Sequence, residues 1–305
     1  MNRKDMDEAL RRDELIAGLP EARVTLPYGG HVKLIDTLGS DEDIIASARM
    51  STDGAFRGWG PFPCQTCGGA GTAPPLVPAS ADATPVPAPP TACLTCGGAG
   101  IVPGDEKLLR YLWTHQHMTP FEQATLVFEV EAPIFCARQI FRHRSFSFNE
   151  LSARYTAFNE ENAWSPPPGG WRSQGASTKQ GSGDPLPPDT QRLCDATLEG
   201  VYRTVWTAYR DLLTRGVARE QARTVLPMGT FTRWRQSGTL RNWLAYLELR
   251  LHPHAQLETR QVAAAQAMFI GAVFPRTWAL FEEDMGDLFA TVPGTLPVAP
   301  PSVGP

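Results

Sequence analysis

The chain has 305 residues, of which 42% are hydrophobic and 20% charged, with a formal net charge of −4. That composition is ordinary for a globular protein, and the length allows a substantial core in one large or two modest domains. No apolar run approaches the roughly 20 residues of a membrane span, and the acidic balance offers no general attraction to nucleic acid or an anionic membrane.

In chain order, residues 1–22 read as a short polar helix or a loose arm. The opening MNRKDMDEALRRDELIAG is charged and lacks the apolar stretch of a secretory signal, so a cytoplasmic protein is expected. Val32 to Asp36 reads as a strand. Ser40-Asp41-Glu42-Asp43 then sets capping and acidic residues at the start of a helix through Ile44 to Arg49. Between Gly54 and Gly104 the composition turns to Gly, Pro and Ala, and SADATPVPAPPT has little apolar surface to bury. The expected organisation is a main domain begun in 1–53, interrupted by an insertion at 54–104 and completed by 105–292, with a disordered tail at 293–305. In the resumed body, Leu108 to Trp113 fit one helix face and Ala124 to Val130 a strand. Pro133 suits a first helical turn, and that helix would carry Ile134, Ala137 and Phe141 and deliver Arg142 to Arg144 at its end. Residues 164–190 read as a Pro/Gly/Ser-rich loop. Leu198 to Leu213 follow 3–4 spacing and stop at Gly216, and shorter helices are expected over 218–226, 239–251 and 255–272. Strands early and long helices late argue an α+β fold.

Two cysteine pairs, Cys64/Cys67 and Cys93/Cys96, are each followed by Gly-Gly-Ala-Gly. Two residues between cysteines let both thiolates face one ion, and the glycines permit the tight turn of a knuckle. The duplicated pairs resemble the zinc knuckles of J-domain chaperones, and four thiolates would close a structural zinc site. Redox dithiols or cysteines without a shared role are the competing readings. The insertion has no Lys or Arg between Gly58 and Gly104, which argues against phosphate-backbone binding there. Cys136 and Cys194 lie in apolar helical patterns and read as core residues.

The densest chemistry is the run RHRSFSFNELSARY, Arg142 to Tyr155. Guanidinium forks bind phosphate oxygens in pairs, so several fixed cations suit a ligand with more than one phosphate. Glu150 among them should stay ionised and accept from a sugar hydroxyl or a base N–H. A surface salt-bridge network is the bland alternative, and it leaves the density of like charge uncompensated. Ser152 has no adjacent base of the Ser-His kind, so it reads as a ligand contact.

Arg142-His143-Arg144, seven residues and then Ser152 resemble the RHR-x7-S signature of the flavin-dependent thymidylate synthases. HQHMTPFE (115–122), FCARQIFRHRSFSFNELSARY (135–155), AREQARTVLP (218–227) and LELRLHPHAQ (247–256) resemble the family in the same order, over roughly 30–52 and 105–285. The resemblance implies an α+β fold with a mixed sheet and long helices. It also implies a homotetramer whose active sites each draw on more than one chain. The implied reaction moves a one-carbon unit from methylenetetrahydrofolate to dUMP, with FAD as cofactor and NADPH as reductant. On the same basis Arg142, His143, Arg144 and Arg241 contact FAD, with Thr119, Glu122 and Glu150 also on the cofactor side. Gln139, Arg142, Glu150, Ser152, the backbone of Ala153, and Arg154 hold dUMP, and Arg223 reaches its phosphate side. Arg250 faces the pyrimidine and favours its ionised N3, while His117 lines the flavin. Thr239 and Ala245 stand where the family has asparagines, and the knuckle insertion is not part of the family pattern. Two other functions compete: a flavin-dependent dUMP hydroxymethylase, and a zinc-knuckle binding or adaptor protein on a degenerate enzyme body.

Overall fold

The computed structural model describes residues 23–72, 91–166, 170–176 and 181–286. The expected N-terminal arm, the middle of the insertion and the expected tail therefore lie outside the described residues. A five-stranded sheet runs in the order β1 (Arg23–Thr25), β2 (His31–Leu38), β5 (Thr125–Pro133), β9 (Phe231–Thr239), β6 (Ser147–Glu150). Every pairing in it is antiparallel, where a mixed sheet was expected. β5 is central because alternate residues Leu126, Phe128, Val130 and Ala132 all point to one buried face. β9 pairs with its whole length, from Thr125 against Thr239 to Pro133 against Phe231. Phe128, Val130 and Ala132 thus stand beside Gln236, Trp234 and Thr232 on the covered face.

Helices cover that face. α1 (Asp41–Met50) starts at Ser40, whose Oγ accepts from the Asp43 N–H at 3.1 Å. α2 (Glu106–Thr114) and α3 (Ile134–Ile140) follow, and α4 (Pro188–Thr214) begins ten residues before the point the apolar spacing marks. The expected helix at 218–226 is a short α5 (Arg219–Ala222) and a 3-10 turn, Arg223–Val225. α6 (Leu240–Leu251), α7 (Leu257–Val273) and α8 (Pro275–Met285) close the chain. α7 is buried around most of its circumference and packs against β2, β5, α3, α6 and α8. β9 passes straight into α6, with the Leu240 N–H bonded to Ala124 O at 2.8 Å. No helix among the described residues is long and apolar enough to cross a membrane.

The expected 164–190 loop holds a hairpin, β7 (Arg172–Gln174) with β8 (Ser182–Pro185). The insertion holds a second, β3 (Phe62–Pro63) with β4 (Ile101–Val102). Its two knuckles mirror each other, Cys64 N–H donating to Gly100 O at 2.8 Å and Cys93 N–H to Gly71 O at 2.9 Å. Gly71 and Gly100 are obligatory at this crossing. Each has positive φ, and an added Cβ would sit 2.4 Å from Gly98 O and 2.3 Å from Gly69 O respectively.

Candidate active site

Pro133 is extended and starts α3 without a donor to waste. The helix ends at Ile140, and Arg142-His143-Arg144 form the turn between it and β6. The His143 N–H bonds Ile140 O at 3.0 Å, and the Phe146 N–H bonds His143 O at 3.3 Å. Phe146 packs on Gly238 of β9, where an added Cβ would lie 2.4 Å from its ring. This close approach seats the turn against the end of the sheet. Arg142 and Arg144 are exposed, and among the described residues neither faces a carboxylate at ion-pair distance.

Arg250 comes to this turn from the last turn of α6. Its Nε donates to His143 Nε2 at 2.8 Å and its Nη2 to Gln139 O at 3.0 Å. The acceptor role at Nε2 requires a neutral imidazole with its proton on Nδ1. Burial, and then the Arg250 charge, hold His143 down to about 4, in agreement with that state. Tyr246, one turn earlier, packs edge-on to the His143 ring at 4.9 Å between centroids. Burial pushes its phenol up, and its hydroxyl has no partner among the described residues.

The other expected residues fall into three groups. Arg241, at the start of α6, is ion-paired with Glu122 of the 3-10 turn Thr119–Glu122. It sits nine residues from Arg250, about 13 Å along the helix. Thr119, which opens that turn, and His117, just before it, are exposed, with His117 edge-on to Tyr111 at 5.6 Å. Glu150 ends the edge strand β6 and accepts from Thr232 Oγ1 at 2.8 Å. Ser152 turns its hydroxyl onto its own loop, where the Arg154 N–H donates to it at 3.2 Å. Ala153 is buried in a small separate cluster with Phe158, Trp206, Tyr209 and Ala222. Arg154 lies 3.6 Å from the Glu220 carboxylate, and Arg223 Nε donates to Glu220 O at 3.3 Å, so these two arginines share one exposed neighbour. Thr239 stands at the N-cap position of α6 without a side-chain cap bond, its buried hydroxyl having no partner among the described residues, and Ala245 is exposed.

Several groups at the site were not singled out in the sequence. Asn242 donates to Ser145 O at 3.1 Å, which ties α6 to the RHR turn. Gln256 accepts from Gln139 Nε2 and donates to Glu258 Oε2 at 2.9 Å. The only early signal for Gln256 was its place in the LELRLHPHAQ segment. Cys136 is fully buried, and burial pushes its thiol up, so it is no nucleophile. Cys194 departs from expectation: it is half-buried on α4 rather than in the core.

The four knuckle cysteines do converge. Their sulfurs all lie within 4.8 Å of one another, with Cys64 to Cys93 and Cys67 to Cys96 both at 3.8 Å. Thiolates around one zinc at about 2.3 Å would have tetrahedral edges of about 3.8 Å. The donor set therefore fits a tetrahedral metal ion.

The family model described as "Thymidylate synthase complementing protein" matches residues 33–276. A flavin-dependent thymidylate synthase of Thermus thermophilus is 36% identical over 267 residues, 87% of this chain and 81% of that protein. One of Wolbachia pipientis is 32% identical over 281 residues, 91% of this chain and 83% of that protein. Among solved structures, a UMP/dUMP methylase of Streptomyces cacaoi bound with 5-Br UMP matches with TM-score 0.63 at 25% identity, covering 86% of this chain and 97% of that one. Fold, site and matches together define an enzyme of the transferase class. More narrowly, the chain belongs to the Thy1 family, that of the flavin-dependent thymidylate synthases.

Proposed function

We propose that this chain converts dUMP to dTMP, taking its carbon from methylenetetrahydrofolate and its reducing equivalents, through FAD, from NADPH. The observation that carries this assignment is Arg250, oriented by a neutral His143, beside a turn that presents two arginines without carboxylate partners among the described residues. That cation-rich turn suits the diphosphate of FAD. FAD, when bound, supplies the hydride that the nucleotide ring receives. Arg142, His143, Arg144 and Arg241 would hold it, with Thr119, Glu122 and Glu150 on the same side and His117 against the ring system. Gln139, Arg142, Glu150, Ser152, Ala153, Arg154 and Arg223 would hold dUMP.

Arg250 does the electrostatic work. A guanidinium has five N–H donors, two of which are committed to His143 and Gln139. The rest can meet N3 and O2 of a pyrimidine and stabilise negative charge that develops there. His143 keeps its proton on Nδ1 and holds the guanidinium plane. A closed four-thiolate zinc site would be structural, stapling the 54–104 module. The working form we propose is a cytoplasmic homotetramer with no nucleic-acid partner.

The test is the visible spectrum of the purified protein, followed by incubation with dUMP, methylenetetrahydrofolate and NADPH and a product mass. UMP runs in parallel, because the Streptomyces protein is described as a UMP/dUMP methylase. A yellow protein that makes dTMP is the expected result. A product heavier by one oxygen would reassign the chain as a hydroxymethylase. A colourless protein that takes up no FAD would overturn the enzyme assignment and leave the knuckles as a binding module.

A further inference from the structure

Arg172 begins β7, in a stretch that the sequence offers only as loop. Its Nε donates to Ser182 Oγ at 2.8 Å across the hairpin, and its Nη2 to Glu258 Oε1 at 2.6 Å. Glu258 lies in the first turn of α7 and is only 2% exposed. A carboxylate that deep requires a charged partner, and Arg172 is one.

The other oxygen of Glu258 sets a direction. An ionised carboxylate only accepts hydrogen bonds. Gln256 must therefore turn its NH2 toward Glu258, at 2.9 Å, and its carbonyl oxygen away. That oxygen accepts from Nε2 of Gln139. The Gln139 amide is thereby oriented in turn: its NH2 points inward and its Oε1 is left for the site. A charge on the hairpin is thus read out, through two amides, as an acceptor at the nucleotide site.

We propose that Arg172 is a positioning residue for nucleotide binding, acting through Glu258 and Gln256 to fix Gln139 Oε1 as an acceptor. The group it meets is a donor on the nucleotide, a sugar hydroxyl, and not a phosphate oxygen. This rests on the assignment of Gln139 to the dUMP site.

The test compares FAD-loaded Arg172→Met, Arg172→Lys, Glu258→Gln and Ser182→Ala with the parent protein, varying dUMP at saturating folate and NADPH. Arg172→Met is expected to raise KM for dUMP about tenfold, since it leaves the buried carboxylate unpaired and free to swing away from Gln256. Glu258→Gln, which keeps the shape and removes the charge, is expected to do the same, and it serves alone if Arg172→Met does not fold. Flavin content and KM for the folate should hold in both. Arg172→Lys should restore most of the affinity, and Ser182→Ala should match the parent. A KM for dUMP within about twofold of the parent in Glu258→Gln, with flavin retained, overturns the inference. So does loss of flavin in step with activity, or an equal effect in Ser182→Ala, because either assigns the change to folding of the hairpin. A parent protein that binds FAD but makes no dTMP overturns the functional assignment instead.

Discussion

At the scale of single residues, the Arg250–His143 contact works only while the imidazole is neutral. A protonated ring has no lone pair at Nε2 and would repel the guanidinium 2.8 Å away. The folded value of about 4 lies below the unfolded value of about 6.5. Between those values the unfolded chain holds the extra proton. The contribution to stability is therefore full above pH 6.5 and is lost as pH falls toward 4. His143 is half-buried, so screening reduces the size of this effect but keeps its direction. Tm measured at pH 7 and pH 5 should fall more in the parent than in His143→Gln, and equal falls would remove His143 from the account. Arg250 gives a kinetic counterpart. If it meets the pyrimidine and not the cofactor, Arg250→Ala should lower kcat by about 100-fold or more while the flavin absorbance stays. Near-parental turnover in that variant would sink the assignment.

At the scale of elements, the insertion is closed twice, at its tip by cysteines and at its base by the body. Asp105 is fully buried at the start of α2, where it accepts from Arg49 Nε at 2.9 Å and from the Arg57 N–H at 2.7 Å. Trp59 lies in the main core beneath the Arg276 guanidinium, 4.6 Å from it. Metal removal should therefore loosen the tip and leave the body. A chelator is expected to release one zinc per chain and expose four thiols to a thiol reagent, with flavin retained; loss of flavin at the same rate would mean that the tip supports the site. Asp105→Asn is expected to cost about 3 kcal/mol, because it strands the largely buried Arg49 charge, and a thermal melt reads it. The same elements explain what the sequence made legible. The RHR turn, the knuckles, β5 and α6 each announce themselves within a few residues, by local motif, by alternation or by helical spacing. β9 does not, because its inward residues include Thr232 and Gln236, while Arg233 and Arg235 point out. The start of α4 hides because its first turns are exposed and polar, and follow prolines. α8 hides because its N-terminal cap comes from Asp41 on α1, which accepts from the Arg276 and Thr277 N–H groups at 2.9 and 3.1 Å. The Arg172–Glu258 pair joins residues 86 positions apart, which no local pattern encodes.

At the scale of the whole molecule, α4 is the element with too little to cover. Its 27 residues would span about 40 Å, yet Trp206 and Tyr209 are the only side chains on it that are buried. Leu193 is 70% exposed and Val201 48%. The small cluster around Trp206 and Tyr209 also holds Ala153 and Ala222, on the segments that carry Arg154 and Arg223. Arg154 and Arg223, two of the arginines assigned to dUMP, thus sit on segments packed against α4. Association of chains along α4 would cover its apolar side chains and fix those segments together, which is what a site drawn from more than one chain requires. If the proposed tetramer forms along α4, Leu193→Asp combined with Val201→Asp should lower the mass found by light scattering from that of four chains to that of fewer. Turnover of dUMP should fall with it, while Arg250, His143 and Gln139, seated on the main core, keep their contacts. A dissociated variant that retains parental turnover would show that one chain completes the site, and would separate the assembly from the chemistry.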